Sequence, residues 1–366
     1  MNGPQVAWLA DGKRLHLNHG PIDLIIEAFG REPERRSAHE AAIARFRTIL
    51  GELVAELPEL RRPAGAKPRG FASPTARRME LAVQRYHPQF ITPMAAVAGS
   101  VADEIMAAMT AVAELDKAYV NDGGDIAIHL TGDQSITAAI AGTGHGFADR
   151  LVIRADDQVR GIATSGWRGR SFSLGIADAV TVLAGDAAAA DAAATMIANA
   201  VDLPGHPAIV RQPANEMQPD TDLGARLVTV GVGALSTQEI AEALEGGVAA
   251  AETYLAHGLI AGAALFLAGE ARLVGVTSRQ SEVIFVGGTE NLKATAHCRT
   301  TPTPTHPHKG EGNARLAMPR QRRGRGASAS EIPSPLWGGV RGGGGSASPS
   351  LAIASPSKPP RTIPQR

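Results

Sequence analysis

Apolar and polar positions alternate along this chain with two different periods. In residues 37–57 apolar side chains recur every three or four positions (Ala41, Ile43, Phe46, Ile49, Leu50, Leu53), which predicts an amphipathic helix stopped by Pro58 and Pro63. Residues 74–86 predict a second helix, and residues 94–115, opened by Pro93, a third. From there the period shortens. Residues 118–121, 126–130, 135–141, 150–154, 159–164 and 179–184 are short runs rich in β-branched residues, with Gly and Asp between them. An Ala-rich helix follows over residues 187–200, with Asp186 as its N-cap. A further helix over residues 236–257 opens on Ser-Thr-Gln-Glu, the order of a capping box. The remaining apolar runs predict strands: a hairpin within residues 8–17 around Asp11-Gly12, then residues 22–29, 208–211, 227–232, 259–267, 273–276 and 283–286. Short links between strands imply mostly antiparallel pairing, and helices gathered at both ends imply an α+β fold rather than alternating βαβ units.

Composition narrows the function classes. Among 366 residues, Lys+Arg and Asp+Glu both number 36, so the net charge is zero. A general nucleic-acid binder needs a cationic surface, so specific nucleic-acid binding is not expected. One cysteine, Cys298, allows neither an internal disulfide nor a Cys-based metal site. The most apolar uncharged stretch, residues 258–269, falls short of the roughly 20 residues needed to cross a bilayer. It fits a core strand or a subunit interface of a homo-oligomer. Asp11, Lys13 and Arg14 interrupt the N-terminus, so no secretory signal is expected, and the chain reads as a soluble cytoplasmic protein.

The neutral total conceals two unlike pieces. After residue 296 the chain carries 11 Lys+Arg against 2 Asp+Glu, with 11 of the 24 prolines and 10 of the 41 glycines. The expected organisation is therefore one domain over residues 1–290 and a disordered basic Pro/Gly/Ser-rich tail over residues 291–366. The tail reads as a basic arm or, more plainly, as a stretch that is not a native domain.

Four segments carry candidate chemistry. Asn121-Asp122-Gly123-Gly124-Asp125 lies between two strands, where paired glycines let a backbone approach a ligand closely; a polar tight turn is the plainer reading. Gly142-Thr143-Gly144-His145-Gly146 is glycine-rich but lacks the Lys-Ser/Thr of a phosphate loop, which leaves a hairpin loop. Thr164-Ser165-Gly166-Trp167-Arg168 ends an apolar strand with two hydroxyls and a guanidinium suited to phosphate oxygens. Asp191 and Thr195 stand four residues apart on the Ala-rich helix, on one face, as hard oxygen ligands for Mg²⁺.

Taken in order, these segments resemble the ApbE superfamily, the FAD:protein FMN transferases. That superfamily shows an Asn-x-Gly-Gly-Asp turn, a Thr-Ser-Gly with a nearby Arg, a Val-Thr-Val strand and an Ala-Asp-Ala-x-Ala-Thr helix. Here they stand at residues 121–125, 164–168, 180–182 and 190–195, within residues 94–201. The match is closest to a branch of soluble ApbE-like proteins sharing residues 8–286. The resemblance implies an ApbE-like α+β fold with a largely antiparallel or mixed sheet and flanking helices. It implies FAD in a cleft with Mg²⁺ on its pyrophosphate. Asp191, Thr195 and the Ala98 carbonyl are the implied metal ligands. Gly123, Gly124, Asp125, Thr164, Ser165, Gly166 and Arg168 are the implied cofactor contacts.

Two departures from the superfamily pattern bear on catalysis. The Lys that follows the metal-binding Ala is replaced by Gly99-Ser100, and no His-Ile-x-Asp-Pro segment stands between residues 169 and 179. Asp178 is the one carboxylate there and hence the candidate base for FMN transfer. Three functions follow: an enzyme transferring FMN to an acceptor protein or cleaving the pyrophosphate, a non-catalytic flavin or nucleotide-binding module that has lost the base, or a scaffold with a vestigial cleft.

Overall fold

A computed structural model describes residues 3–139 and 150–275 and, beyond them, the backbone of two short strands. These residues belong to one of the chain's two units, formed by residues 1–291 and 348–366. The elements are β1 (Gln5–Trp8), β2 (Leu15–His19), β3 (Ile22–Phe29), α1 (Glu32–Ala55), α2 (Leu57–Leu60), α3 (Pro74–Gln84), a 3-10 turn (Pro93–Ala96) and α4 (Val97–Thr110). They continue with β4 (Lys117–Asp122), β5 (Asp125–Leu130), β6 (Ser135–Ala139), β7 (Arg150–Arg154), β8 (Gly161–Ser165), β9 (Ala179–Ala184) and α5 (Ala187–Ala200). Then come β10 (Ile209–Pro213), α6 (Ala214–Met217), β11 (Leu227–Val232), α7 (Thr237–Ala256), β12 (Gly262–Leu267), β13 (Glu270–Val274), β14 (Val283–Ile284) and β15 (Ala352–Ala354).

The class is α+β, as the sequence predicts. Nine strands form one sheet in the order β1-β2-β3-β4-β5-β8-β9-β12-β13, and every strand pair is antiparallel. Both faces are covered, and the side chains sort by strand parity. Along β12, Ala263, Leu265 and Leu267 join the helical core with α5 and α7, whereas Ala264 and Phe266 turn to the opposite face. That opposite face is covered by the β6–β7 hairpin through Ile136, Ala138, Leu151 and Ile153. A second helical core packs α1 and α4 against β2 to β4. β14 and β15 extend the β6–β7 pair, and β10–β11 form a separate ribbon.

Several boundaries differ from the sequence reading. The loop joining β1 to β2 spans six residues instead of the two-residue Asp11-Gly12 turn, because the Asp11 carboxylate accepts the Lys13 and Arg14 amides and widens it. α1 begins five residues early, since Pro33 in its first turn is compatible with a helix start. The stretch around residues 258–269 resolves into β12, buried along its whole length between β9 and β13, so it is core and not subunit interface. Among the described residues no helix is long and apolar enough to cross a membrane. The glycine-rich segment at residues 142–146 and most of the expected tail lie outside the described residues.

The β12–β13 turn carries the one described non-glycine residue with a left-handed backbone, Ala268 at φ 50°, followed by Gly269 at φ 87°. Such two-residue turns favour Asn or Gly at the first position. Ala268→Gly should therefore raise stability by about 0.5–1 kcal/mol, read as a shift in the denaturation midpoint.

Candidate functional site

The site is organised by how α4 and α5 begin. The first four amides of any helix lack intrahelical partners and must find other acceptors. On α5, Ala189 donates to the Asp186 carboxylate at 2.7 Å. Ala187 and Ala188 donate across to the Asp103 carboxylate of α4, at 3.1 and 2.8 Å. The service is returned: Asp191, on the second turn of α5, accepts the amides of Gly99, at 3.1 Å, and Ala98 in the first turn of α4. Each helix thus supplies an aspartate to the other's N-terminus, and the pairings run in opposite senses along the two axes. Gly99 makes this possible, because a Cβ there would lie 2.2 Å from the Ala187 carbonyl oxygen.

The second wall is the β4–β5 hairpin. Gly123 and Gly124 adopt φ of 64° and 119°, and Gly124 donates its amide to Asn121 Oδ1 at 2.8 Å. The tight turn sets Asp122 directly across from Asp125 in the strand register. Asp125 accepts the Thr164 amide at 3.2 Å, and Thr164 Oγ1 lies 2.9 Å from Thr181 Oγ1. Asp122, only 5% exposed, accepts the Asp23 amide at 3.4 Å.

Three carboxylates are thereby crowded; their hydrogen-bond donors are backbone amides, and Arg170 bears on Asp122 and Asp125 by charge. Burial pushes Asp122 up to about 8, with repulsion from Asp125 adding to it. Burial likewise pushes Asp125 up to about 7, against the Thr164 amide and Arg170. Asp191 is held well above the ordinary carboxylate range by burial first, then by Asp125 and Asp122, despite its two amide donors. Carboxylates this crowded, with Arg170 bearing on only two of them, call for a proton or a further cation.

The third wall follows β8. Gly166 fits because its Cα passes against residue 178; a Cβ would lie 2.5 Å from the Asp178 carbonyl oxygen. Asp178 Oδ1 accepts from Trp167 Nε1 at 3.2 Å and pairs with Arg168 Nε at 2.6 Å, while Asp178 Oδ2 accepts the Ala268 amide at 2.7 Å. The Arg168 guanidinium also lies 5.1 Å from the centre of the Trp167 ring. Arg170 reaches back over the hairpin, its Nη2 filling the space a Gly123 side chain would take.

Of the residues singled out in the sequence, Asp125 and Thr164 are bonded to each other, and Asp191 bears electrostatically on Asp125. Thr195 lies one turn beyond Asp191 on α5, half-buried. Ala98 is adjacent, and its amide N–H donates to the Asp191 carboxylate. Sequence reasoning missed Asp122, Asp103 and Arg170. Asp122 sits within the quoted glycine turn, and its place in the hairpin register was a usable signal; Arg170 offered none.

Among the described residues no group of three or more His, Cys, Asp and Glu side chains forms a ready-made metal cage. The carboxylates nonetheless fit a hard cation that takes few protein ligands and fills its shell with water and phosphate, as Mg²⁺ does.

The family described as AbpE bacteria matches residues 6–273. A UPF0280 protein of Methanothrix thermoacetophila is 36% identical over 174 residues, covering 47% of this chain and 71% of that protein. A UPF0280 protein of Methanosarcina acetivorans is 39% identical over 115 residues, covering 31% of this chain and 44% of that protein. A third, of Methanococcoides burtonii, is 39% identical over 118 residues, 32% of this chain and 48% of that protein. Among solved structures, the apo form of the Pseudomonas stutzeri flavinyl transferase ApbE aligns over 74% of this chain and 93% of its own, at 10% identity and a TM-score of 0.36.

Proposed function

The chain belongs to the AbpE bacteria family, and from that premise we propose that it binds FAD together with Mg²⁺ in the cleft between α5, the β4–β5 hairpin and the end of β8. The supporting observation is the crowding of Asp191, Asp125 and Asp122, whose hydrogen-bond donors are amides. Asp191 and Thr195 are the side-chain ligands, joined by the Ala98 carbonyl. Gly123, Gly124 and Asp125 line the hairpin side. Thr164, Ser165, Gly166 and Arg168 line the opposite side, where hydroxyls and a guanidinium suit diphosphate oxygens. A bound divalent cation supplies charge neutralisation at the pyrophosphate as a phosphorus–oxygen bond breaks.

Asp178 is the carboxylate available as a proton acceptor for FMN transfer to an acceptor hydroxyl. Its oxygens are taken up by Trp167, Arg168 and Ala268, so accepting a proton requires Arg168 to leave for the ligand. That engagement also favours the second reading, a flavin-binding module without turnover. Release of FMN and AMP, or a flavin-labelled acceptor protein, separates the two: product supports the transferase, binding without product the module.

FAD fluorescence titrated with the purified chain should show binding that depends on Mg²⁺. Asp191→Ala should weaken the Mg²⁺-dependent affinity by more than about tenfold, the loss of one charge-assisted contact. Equal FAD affinity with and without Mg²⁺ overturns the proposal.

A further inference from the structure

Arg170 is not part of the site as the sequence outlines it, yet its position is specific. Gly123 has φ 64°, and its missing side chain leaves a hollow above the hairpin. The Arg170 guanidinium fills that hollow: an ideal Cβ on Gly123 would lie 1.5 Å from Arg170 Nη2 and 2.7 Å from its Cζ. From there its charge bears on both Asp122 and Asp125. The side chain is otherwise exposed and stands on the segment joining β8 to β9, four residues beyond Gly166.

We propose that Arg170 is the resident counter-cation of this carboxylate pocket, that an incoming divalent cation displaces it, and that the released guanidinium then engages the phosphate oxygens of the nucleotide. The inference rests on the cation-dependent nucleotide site proposed above and adds an exchange to it. Arg170 bears on Asp122 and Asp125, and those two carboxylates bear in turn on Asp191, so a metal ion held at Asp191 and the guanidinium repel each other across the same cluster and compete for it. An arginine freed beside a diphosphate has a planar fork matched to two of its oxygens. The residue therefore opposes the metal alone and favours the metal with nucleotide.

That double role gives opposite signs in two titrations of the full-length protein. Mn²⁺, followed by electron paramagnetic resonance without nucleotide, should bind Arg170→Gln at least threefold more tightly than wild type. FAD, titrated in saturating Mg²⁺, should bind the same variant at least tenfold more weakly, and Arg170→Lys should fall between wild type and Arg170→Gln in both. Arg170 is exposed, so neither variant threatens the fold. Unchanged or weaker Mn²⁺ binding by Arg170→Gln, with wild type binding Mn²⁺ and FAD, overturns the exchange and leaves the underlying site standing. Tighter Mn²⁺ with unchanged FAD affinity overturns the phosphate step. If neither protein binds Mn²⁺, both the exchange and the site fall.

Discussion

Gly99→Ala is expected to cost the fold about 3 kcal/mol, the upper part of the range for forcing one methyl into a filled interior. The atoms in its way are all backbone: the Ala187 oxygen at 2.2 Å, the Ala187 carbonyl carbon at 2.5 Å and the Ala188 nitrogen at 2.8 Å. None can step aside as a side-chain tip can. Relief has to come from parting α4 from α5, which stretches the Asp103 bonds to Ala187 and Ala188 and the Asp191 bond to Gly99. Alanine's better helix propensity offsets about 1 kcal/mol of this. Gly51 in α1 provides the internal contrast, since a Cβ there meets nothing within 4 Å. Gly51→Ala should stabilise by about 0.5–1 kcal/mol through propensity alone. Urea midpoints measure both, and matching shifts in the two variants would remove the tight helix approach from the argument.

The second large effect concerns pH and Asp103. Burial raises this carboxyl first, and Asp186 raises it further, to about 7, against the pull of the Ala187 and Ala188 amides. In the unfolded chain an aspartate titrates near 3.9. A group whose folded value is raised favours folding fully below the unfolded value and loses that contribution as pH rises to the folded one. Asp103 therefore costs the fold up to about 1.4 kcal/mol for each pH unit between about 4 and 7, and nothing more beyond. Partial solvent exposure of the side chain lowers that ceiling. Asp103→Asn keeps one amide acceptor and removes the titration. Relative to wild type it should gain stability by about 2 kcal/mol on moving from pH 5 to pH 7.5, judged by denaturant midpoints at each pH. Parallel pH profiles for the two proteins would show that Asp103 does not titrate in this window.

The sequence carried most of the fold because its period changes where the structure changes. α5 and its Asp186 cap, α7 and its Ser236–Glu239 capping box, and β3, β7, β9 and β11 fall where apolar spacing puts them. α2 and α6 were missed because four-residue helices are too short to show a period. The motif residues were legible as types in an order, and the family match spans all of them. Their partners were not. Nothing in the spacing of Asp191 announces that its oxygens accept amides from a helix 92 residues away in sequence, between Gly99 and Asp191. Arg170 was invisible for the same reason. Its meaning comes from Gly123, 47 residues earlier, and a long exposed arginine has no pattern to betray where its end rests.

Asp191 holds two posts at once: it is the metal ligand of the proposed site and it caps the N-terminus of α4. A related chain that had abandoned any nucleotide chemistry would still keep this aspartate, because losing it leaves the Ala98 and Gly99 amides without an acceptor. An aspartate found at this place in a relative would therefore report on architecture. Thr195, one coil further on and ending no helix, is the position whose loss or retention would tell a working site from a relic.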